Sequence, residues 1–298
     1  MKDIPITETV NQNSIAIDEM KPIEIVTLML EEDQAIYQGV KPCLTHVASA
    51  VDLIVTQWKK GGRVFVVGAG TSGRIGVLDA VELGPTFSVP VDRWIGIVAG
   101  GQEAMWQPLE QHEDDETKVV DELRKYELNE CDVVIGMTAS GSTAFALAAI
   151  QYANDMNAAT IGISCNYNTR ISDVSDCAIE AVVGSEIIRG STRLKAGTAQ
   201  KMIINMLSTA TMIRLGKVYQ NQMIEVQLIN DKLRKRAEQS LMDIAEVSEF
   251  EAQALMQETK YDLKKAIFIS MTDTNIEVAE RYLQQANGHL KKAIRNFL

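Results

Sequence analysis

Residues 63–74 read RVFVVGAGTSGR, a short apolar run that opens into a loop rich in Gly, Thr and Ser. A second stretch with the same order of residue types, DVVIGMTASGST, occupies residues 132–143. In an α/β protein, a buried strand followed by such a loop and then a helix turns backbone N–H groups and hydroxyl groups toward an anion. Two such segments in one chain therefore predict a phosphate pocket that is lined from two sides.

Short apolar segments alternate with helical segments around these two stretches. Strands are predicted at residues 64–67, 94–98, 133–137, 160–164 and 177–182, and helices at residues 74–81, 117–126, 143–157 and 169–174. This alternation predicts a doubly wound α/β domain with a mostly parallel five-stranded sheet. Ligands of such sheets bind at the carboxyl ends of the strands, which is where both loops begin.

The rest of the chain is predicted to be largely helical. The expected organisation is an N-terminal arm with helices over 1–50, the sheet domain over 51–220, a linking helix over 221–240 and a small three-helix domain over 241–298. A long helical region is predicted from residue 192 to about residue 241. The C-terminal domain has no catalytic set of its own, so we expect it to stabilise the protein or to form oligomers.

Composition and charge exclude several classes of protein. A hydrophobic fraction of 46% in 298 residues is ample for a sizeable core, and a net charge of -11 argues against a nucleic-acid partner. The first residues lack the pattern of a signal peptide, and no apolar stretch is long enough to cross a membrane. The four cysteines show neither zinc nor disulfide spacing. These features predict a cytoplasmic protein without a membrane partner.

The first loop also matches the dinucleotide pattern G-x-G-x-x-G, through Gly68, Gly70 and Gly73. A nicotinamide site needs an acidic residue at the end of the next strand, where it binds the ribose hydroxyls. The next predicted strand, 94–98, is instead followed by the sequence AGG. Because a dinucleotide would also leave the second serine loop unexplained, this interpretation is disfavoured.

Carboxylates are the candidate acids and bases. Glu82 follows the helix predicted after the first loop, and Glu113 lies in the acidic run EQHEDDE. On pattern alone, both are more simply explained as solvated side chains, and His46 is more simply explained as structural. The segment SEIIRGSTRLKAGTAQK, at residues 185–201, places Glu186 and Lys195 shortly after a strand and adds basic side chains suited to a sugar phosphate.

Four stretches together resemble the N-acetylmuramic acid 6-phosphate etherase family. They are VGAGTSGRIGVLDAVELGPTF, then IVAGGQEAM followed by EQHEDD, then GISCNYN, and finally GSTRLKAGTAQKMIINMLSTATMIRLGKVY. The resemblance extends from about residue 7 to the C-terminus and is strongest between residues 68 and 219. The GSTRLKAGTAQK segment is long, and therefore specific.

The resemblance implies a sugar isomerase (SIS) domain, a homodimer, and a carbon–oxygen lyase that needs neither a metal nor an organic cofactor. The implied reaction cleaves the D-lactyl ether of N-acetylmuramic acid 6-phosphate and yields N-acetylglucosamine 6-phosphate and D-lactate. By resemblance, Glu82 protonates the departing lactate, and Glu113 is the second catalytic glutamate, which we assign to the C2 proton. The predicted substrate contacts are Gly70, Thr71, Ser72, Ser140, Ser142, Thr143, Glu186 and Lys195.

Two stretches depart from the family pattern. The family's SECPPTFG is VELGPTFSV here, and its AASGRTPY is TASGSTAF, so that Ser142 and Ala144 replace an Arg and a Pro. Because of these replacements, the family pattern does not decide which residues beside the second loop contact the substrate. The alternative functions are a non-catalytic regulator that binds a sugar phosphate and an amino-sugar phosphate isomerase. The presence of both Glu82 and Glu113 favours the etherase, because a regulator would need neither and an isomerase needs no acid for a leaving group.

Overall fold

The computed structural model describes residues 4–228 and 231–298. The first three residues of the predicted arm, and residues 229–230 of the predicted linking helix, lie outside the described residues. The chain divides into two compact units, Met1–Val81 with Val91–Ser208, and Glu82–Pro90 with Thr209–Leu298. None of the helices in the described part of the chain has both the length and the apolar character needed to cross a membrane.

The first unit contains a parallel five-stranded sheet with the strand order β2-β1-β3-β4-β5. The strands are β1 (Val64–Gly68), β2 (Trp94–Val98), β3 (Val133–Met137), β4 (Ala159–Ser164) and β5 (Cys177–Glu180). The predicted α/β class and all five predicted strands are therefore confirmed. Every residue of β1, β3 and β4 is buried, as expected for parallel strands that are covered on both faces.

Eight α-helices begin in the described residues of the first unit. They are α1 (Pro22–Glu32), α2 (Gln34–Val40), α3 (Leu44–Lys59), α4 (Gly70–Phe87), α5 (Glu116–Lys125), α6 (Ala144–Asp155), α7 (Arg170–Asp173) and α8 (Lys195–Arg214). The end predicted for α4 at residue 81 is wrong, because this helix continues through Pro85. Proline removes only one helical hydrogen bond so close to a helix end.

The second unit contains a short hairpin and a set of helices. The hairpin pairs β6 (Val218–Tyr219) with β7 (Gln222–Met223), and the helices are α9 (Asp231–Ala245), α10 (Glu249–Glu258), α11 (Leu263–Thr272), α12 (Ile276–Gln285) and α13 (Leu290–Phe297). The helical region predicted from 192 to 241 is therefore interrupted. Gly216, two residues after the end of α8, has a φ of 78°, a left-handed conformation that commonly ends a helix.

The predicted three-helix domain over 241–298 is also corrected, because four helices follow α9 within the described residues. Hydrogen-bonding side chains begin three of these helices. Ser248 accepts a hydrogen bond from the backbone N–H of Glu251, while Asp262 and Asn275 cap α11 and α12. Each cap satisfies an N–H group that has no partner inside its helix. Leu241, from α9, is buried in the same core as α10 to α13.

The N-terminal arm is ordered over its described residues and is bound to the first unit. Thr7 is fully buried, and its backbone N–H donates to Oδ1 of Asn166 at 3.3 Å. The Ser14 hydroxyl donates to the carbonyl oxygen of Ile187 at 2.7 Å. Asn166 also donates from Nδ2 to the carbonyl oxygen of Ala139, at 3.0 Å. The arm therefore supports the loop that follows β3.

A buried carboxyl group joins α4 to α8 within the first unit. Oδ1 of Asp79 accepts hydrogen bonds from Nδ2 of Asn205 at 2.7 Å and from the hydroxyl of Ser208 at 2.9 Å. Among the described residues, none hydrogen-bonds to Oδ2 of Asp79. Burial raises the pKa of Asp79 to about 6, although these two hydrogen bonds and the charge of Lys201 act in the opposite direction.

In the wild type, ionisation of buried Asp79 lowers the stability of the folded protein as the pH rises. We expect Asp79→Asn to abolish this loss, while the amide oxygen of the asparagine still accepts both hydrogen bonds. The folded-state pKa of about 6 lies above the ordinary value of 3.8. The stability due to neutral Asp79 is therefore fully present below about pH 3.8 and is lost as the pH rises through about 6. From about pH 5 to pH 8, the free energy of unfolding of the wild type should fall by roughly 1.5 kcal/mol relative to that of the variant. Urea titrations of both proteins at each pH measure this difference. A difference that does not change with pH would contradict this account.

Candidate active site

The first loop connects β1 to α4 and is confined to a few residues. Gly70 begins α4 with a φ of 50°, a left-handed conformation that L side chains disfavour. Thr71 and Ser72 follow in the first turn of α4, where backbone N–H groups have no helical partner. The Ser72 hydroxyl is buried and donates to Oε1 of Gln200 at 2.8 Å. This helix start is suited to an anion.

The second loop connects β3 to α6 and is organised around a buried hydroxyl group. The Thr138 hydroxyl hydrogen-bonds to the hydroxyls of Ser140, at 3.1 Å, and Thr143, at 2.8 Å. It also accepts from the backbone N–H of Gly141 at 3.2 Å. Ser142 is exposed and donates from its backbone N–H to the Ser140 hydroxyl at 3.2 Å. The predicted second-loop residues thus lie together, directly before the start of α6.

Gly141 fixes the second loop against the segment before α7. Its φ is 77°, and a Cβ atom at this position would lie 2.2 Å from Cβ of Thr169. The backbone N–H of Ile171 donates to the Gly141 carbonyl oxygen at 3.1 Å. Only glycine permits both this conformation and this close approach.

We expect Gly141→Ala to lower the free energy of unfolding by roughly 3 kcal/mol, through backbone strain and overpacking. Gly184→Ala is a matched control, because Gly184 has the same φ of 77° and no atom within 4 Å of an added Cβ. The control should lose only the strain energy of about 1–2 kcal/mol. Thermal and urea unfolding of both variants would measure the difference. Equal losses would show that contact with Thr169 is unimportant.

Glu113 lies between the two loops. Its carbonyl oxygen accepts a hydrogen bond from the backbone N–H of Phe145, in the first turn of α6, at 3.0 Å. Its carboxyl group reaches the first loop, since a Cβ atom added to Gly70 would lie 3.3 Å from Oε1 of Glu113. Oε2 of Glu110 would lie 3.5 Å from the same point. The structure therefore brings Glu113 to both loops. It also brings Glu110, which was not among the predicted site residues, to the first loop.

The environment of Glu113 favours its neutral form. Burial is the largest cause, followed by a hydrogen bond with Glu110 and the negative charges of Glu110 and Asp114. Together they raise the pKa of Glu113 from 4.5 to about 7. A carboxyl group with such a pKa can take up or release a proton near neutral pH, as general acid–base catalysis requires. Perturbed carboxyl groups of this kind are frequent at functional sites.

Glu82 lies inside α4, in the segment that belongs to the second unit, and its side chain is exposed. Gly84 and Pro85 are residue types that commonly mark a turn. The structure instead keeps both residues in the helix.

Glu186 and Lys195 both have partners within the protein. Glu186 is fully buried and accepts hydrogen bonds from the backbone N–H groups of Lys195, at 3.0 Å, and Ala196, at 2.9 Å, so that it caps the start of α8. Nζ of Lys195 donates to Oε2 of Glu32 at 2.7 Å. Burial alone would raise the pKa of Glu32, but hydrogen bonds from Lys195, Asn13 and Asn11 lower it overall. The contact of Glu186 and Lys195 with substrate stays a prediction. The structure shows in addition that Glu186 holds the start of α8.

Among residues 4–228 and 231–298, no group of three or more His, Cys, Asp or Glu side chains is arranged to hold a metal ion.

Models of three domain families match parts of the chain. The N-terminal SIS domain of glucokinase regulatory protein matches residues 46–154, the SIS domain matches residues 121–210, and a UBA-like domain matches residues 268–298. Among solved structures, a phosphoheptose isomerase from Francisella tularensis covers 65% of this chain and 100% of its own, with a TM-score of 0.50 and 18% identity. At this identity, the similarity shows the fold alone.

Curated relatives match almost the whole chain. N-acetylmuramic acid 6-phosphate etherase 2 from Bacillus licheniformis is 54% identical over 289 residues, which cover 97% of each chain. N-acetylmuramic acid 6-phosphate etherase from Staphylococcus saprophyticus is 43% identical over 98% of this chain and 99% of its own.

Proposed function

This chain belongs to the N-acetylmuramic acid 6-phosphate etherase family, and we propose that it cleaves the D-lactyl ether of N-acetylmuramic acid 6-phosphate. The products are N-acetylglucosamine 6-phosphate and D-lactate. The observation that supports this most strongly is the 54% identity to an etherase of that name over 97% of both chains. The position of Glu113 at both loops agrees with this function.

The two loops are the proposed site of the 6-phosphate group. The first loop would contribute Ser72 and the second Ser140, Ser142 and Thr143, while Gly70 and Thr71 are further proposed substrate contacts. The starts of α4 and α6 offer backbone N–H groups, and the hydroxyls offer further donors, so a dianion could be bound without a cation in the loops themselves. Glu186 and Lys195 would support this site from the start of α8.

The proposed reaction needs one base and one acid. In the open-chain sugar, the C1 aldehyde acidifies the C2 proton, which the Glu113 carboxylate removes. The C3–oxygen bond then breaks, and the lactate oxygen takes a proton from Glu82. Water subsequently adds its hydroxyl to C3, and a proton returns to C2, so that the net change is addition of one water molecule. Two carboxyl groups in different protonation states suffice for these steps.

Incubation with N-acetylmuramic acid 6-phosphate in H₂¹⁸O should release D-lactate without ¹⁸O and place ¹⁸O on C3 of the sugar. The lactate keeps the ether oxygen because elimination breaks the C3–oxygen bond. Mass spectrometry of both products measures this outcome, with the position on the sugar checked by fragmentation because the C1 aldehyde also exchanges oxygen with water. Label in lactate would exclude elimination. Tight binding without lactate would favour a sugar-phosphate-binding regulator.

Two isosteric variants separate the proposed roles. Glu113→Gln should lose C2 proton exchange and turnover by at least about 100-fold, because the base is missing. Glu82→Gln should still exchange the C2 proton with deuterated solvent but should release lactate slowly. Proton NMR follows both events in one sample. Unchanged turnover in Glu113→Gln would show that Glu113 is not the base.

We also propose that the protein is a homodimer. Helix α1 contains no buried residue. The exposed fraction is 68% for Ile23, 56% for Val26 and 73% for Leu30. These positions lie on one side of the helix because they are separated by three and four residues. An exposed apolar surface of this kind commonly marks an interface, and dimers of identical chains pair the same surface on both copies.

Leu30→Asp should weaken self-association by at least about tenfold, because burial of a leucine contributes about 1.5–3 kcal/mol. Val91→Asp is the matched control, since Val91 is 94% exposed and lies outside α1. Sedimentation equilibrium gives the dissociation constant of each protein. A monomeric wild type, or equal dissociation constants for all three proteins, would contradict this interface.

The cytoplasmic location is likewise a proposal. All four cysteines belong to the described residues, and all are free thiols, as is usual for proteins in a reducing compartment.

A further inference from the structure

Glu110 and Glu113 belong to one short segment of the first unit. Residues Glu110–His112 form a single 3-10 turn, which ends at Glu113, whose backbone N–H donates to the Glu110 carbonyl oxygen at 3.0 Å. Both carboxyl groups reach the same side of Gly70, with oxygens 3.5 Å and 3.3 Å from the position of an added Cβ. Glu113 is partly buried there, whereas Glu110 is exposed.

Two carboxylates whose oxygens lie within 3.5 Å of one point repel each other unless a proton lies between them. The other charged group that acts on Glu113 from its own segment is Asp114, which is also negative. The start of α6 contributes the uncharged Ala144 and Phe145. From α4, the guanidinium of Arg74 donates instead to the carbonyl oxygens of Ala104 and Gln107.

Lys118 of α5 is also engaged elsewhere. Nζ of Lys118 lies 3.4 Å from Nδ1 of His112 and 3.8 Å from Oδ2 of Asp115. In the described part of the chain, no cation is among the groups that shift the proton equilibrium of Glu113. A hydrogen bond between the two carboxyl groups is therefore the interaction that holds them together.

We propose that Glu110 is a positioning residue of the etherase reaction, whose carboxylate accepts a hydrogen bond from protonated Glu113 and holds that side chain against Gly70. This inference rests on the proposed function, in which Glu113 is the base. When Glu113 is ionised, the charge of Glu110 makes it a stronger base toward the C2 proton. The proton that Glu113 then carries is held in the hydrogen bond to Glu110 until it returns to C2.

The same pair also orients the substrate. A phosphate dianion beside two carboxyl groups is unfavourable, whereas the hydroxyl groups of Thr71, Ser140 and Thr143 offer it donors. The phosphate end of the sugar would therefore lie toward the hydroxyls, and its C1–C2 end toward Gly70. Glu113 would then face the proton that it removes.

Glu110→Gln tests this proposal through the pH dependence of turnover. The variant removes a negative charge and offers an amide donor to the Glu113 carboxylate, so the apparent pKa of the ascending limb of kcat should fall by at least about one unit. The phosphate group of the substrate also titrates near pH 6, but it does so equally with every variant. Glu110→Asp, which keeps the negative charge, should have an apparent pKa between those of Glu110→Gln and the wild type.

The matched control is Glu103→Gln, at an exposed glutamate of the preceding 3-10 helix. Its pH profile should coincide with that of the wild type. An ascending limb that is unchanged in Glu110→Gln, in a protein that still releases lactate, would overturn the role of Glu110 and leave the etherase function intact.

A second measurement does not need turnover. Carbon-13 NMR titration of the Glu113 carboxyl group should show a lower midpoint in Glu110→Gln than in the wild type. If the wild type releases no lactate, the proposed function fails, and with it the role of Glu110 in the reaction. The midpoint alone then tests the hydrogen bond, and equal midpoints in two folded proteins would overturn that as well.

Discussion

The parallel pairing of β1 with β3 is the constraint on which the candidate site depends. Their register sets Gly68 opposite Met137, so that both strands end at the same level of the sheet. β2 lies beyond β1 and β4 lies beyond β3, so the chain leaves this pair in opposite directions. Such a change of direction opens a crevice at the carboxyl ends of the strands, which is the usual ligand position in a doubly wound sheet.

Within this crevice, short-range contacts couple the acid–base group to the anion site. The hydrogen bond from Phe145 to the carbonyl oxygen of Glu113 ties the acidic segment to the start of α6. The absence of a side chain on Gly70 leaves room for the Glu113 carboxyl group beside the first loop. The hydrogen bond from Asn166 to Ala139 in turn links the second loop to the N-terminal arm. The arm, both loops and Glu113 thus form one connected set of contacts.

Local patterns were sufficient where the structure depends on neighbouring residues. Apolar runs identified all five strands. β1, β3 and β4 are buried along their whole length, and a strand covered on both faces must be apolar throughout. The end of α4 was misplaced because Gly84 and Pro85 are strong turn signals, although a proline in the last turn disrupts a helix little. The predicted number of C-terminal helices was one too few, although the capping box of Ser248 with Glu251 was a usable sequence signal for the start of α10.

Distant contacts could not be obtained in this way. Nothing in the chain near Glu110 indicates that it approaches Gly70, and Thr138 appears in sequence as one more hydroxyl after a strand. By itself, the sequence determined the strand–loop–helix segments and the family, because these depend on residue types and their spacing, and the resemblance to that family supplied the two candidate glutamates. Only the tertiary structure decided which carboxyl groups meet at the first loop and that Glu113 titrates near neutral pH, because burial and charge at a site are set by residues that are distant along the chain.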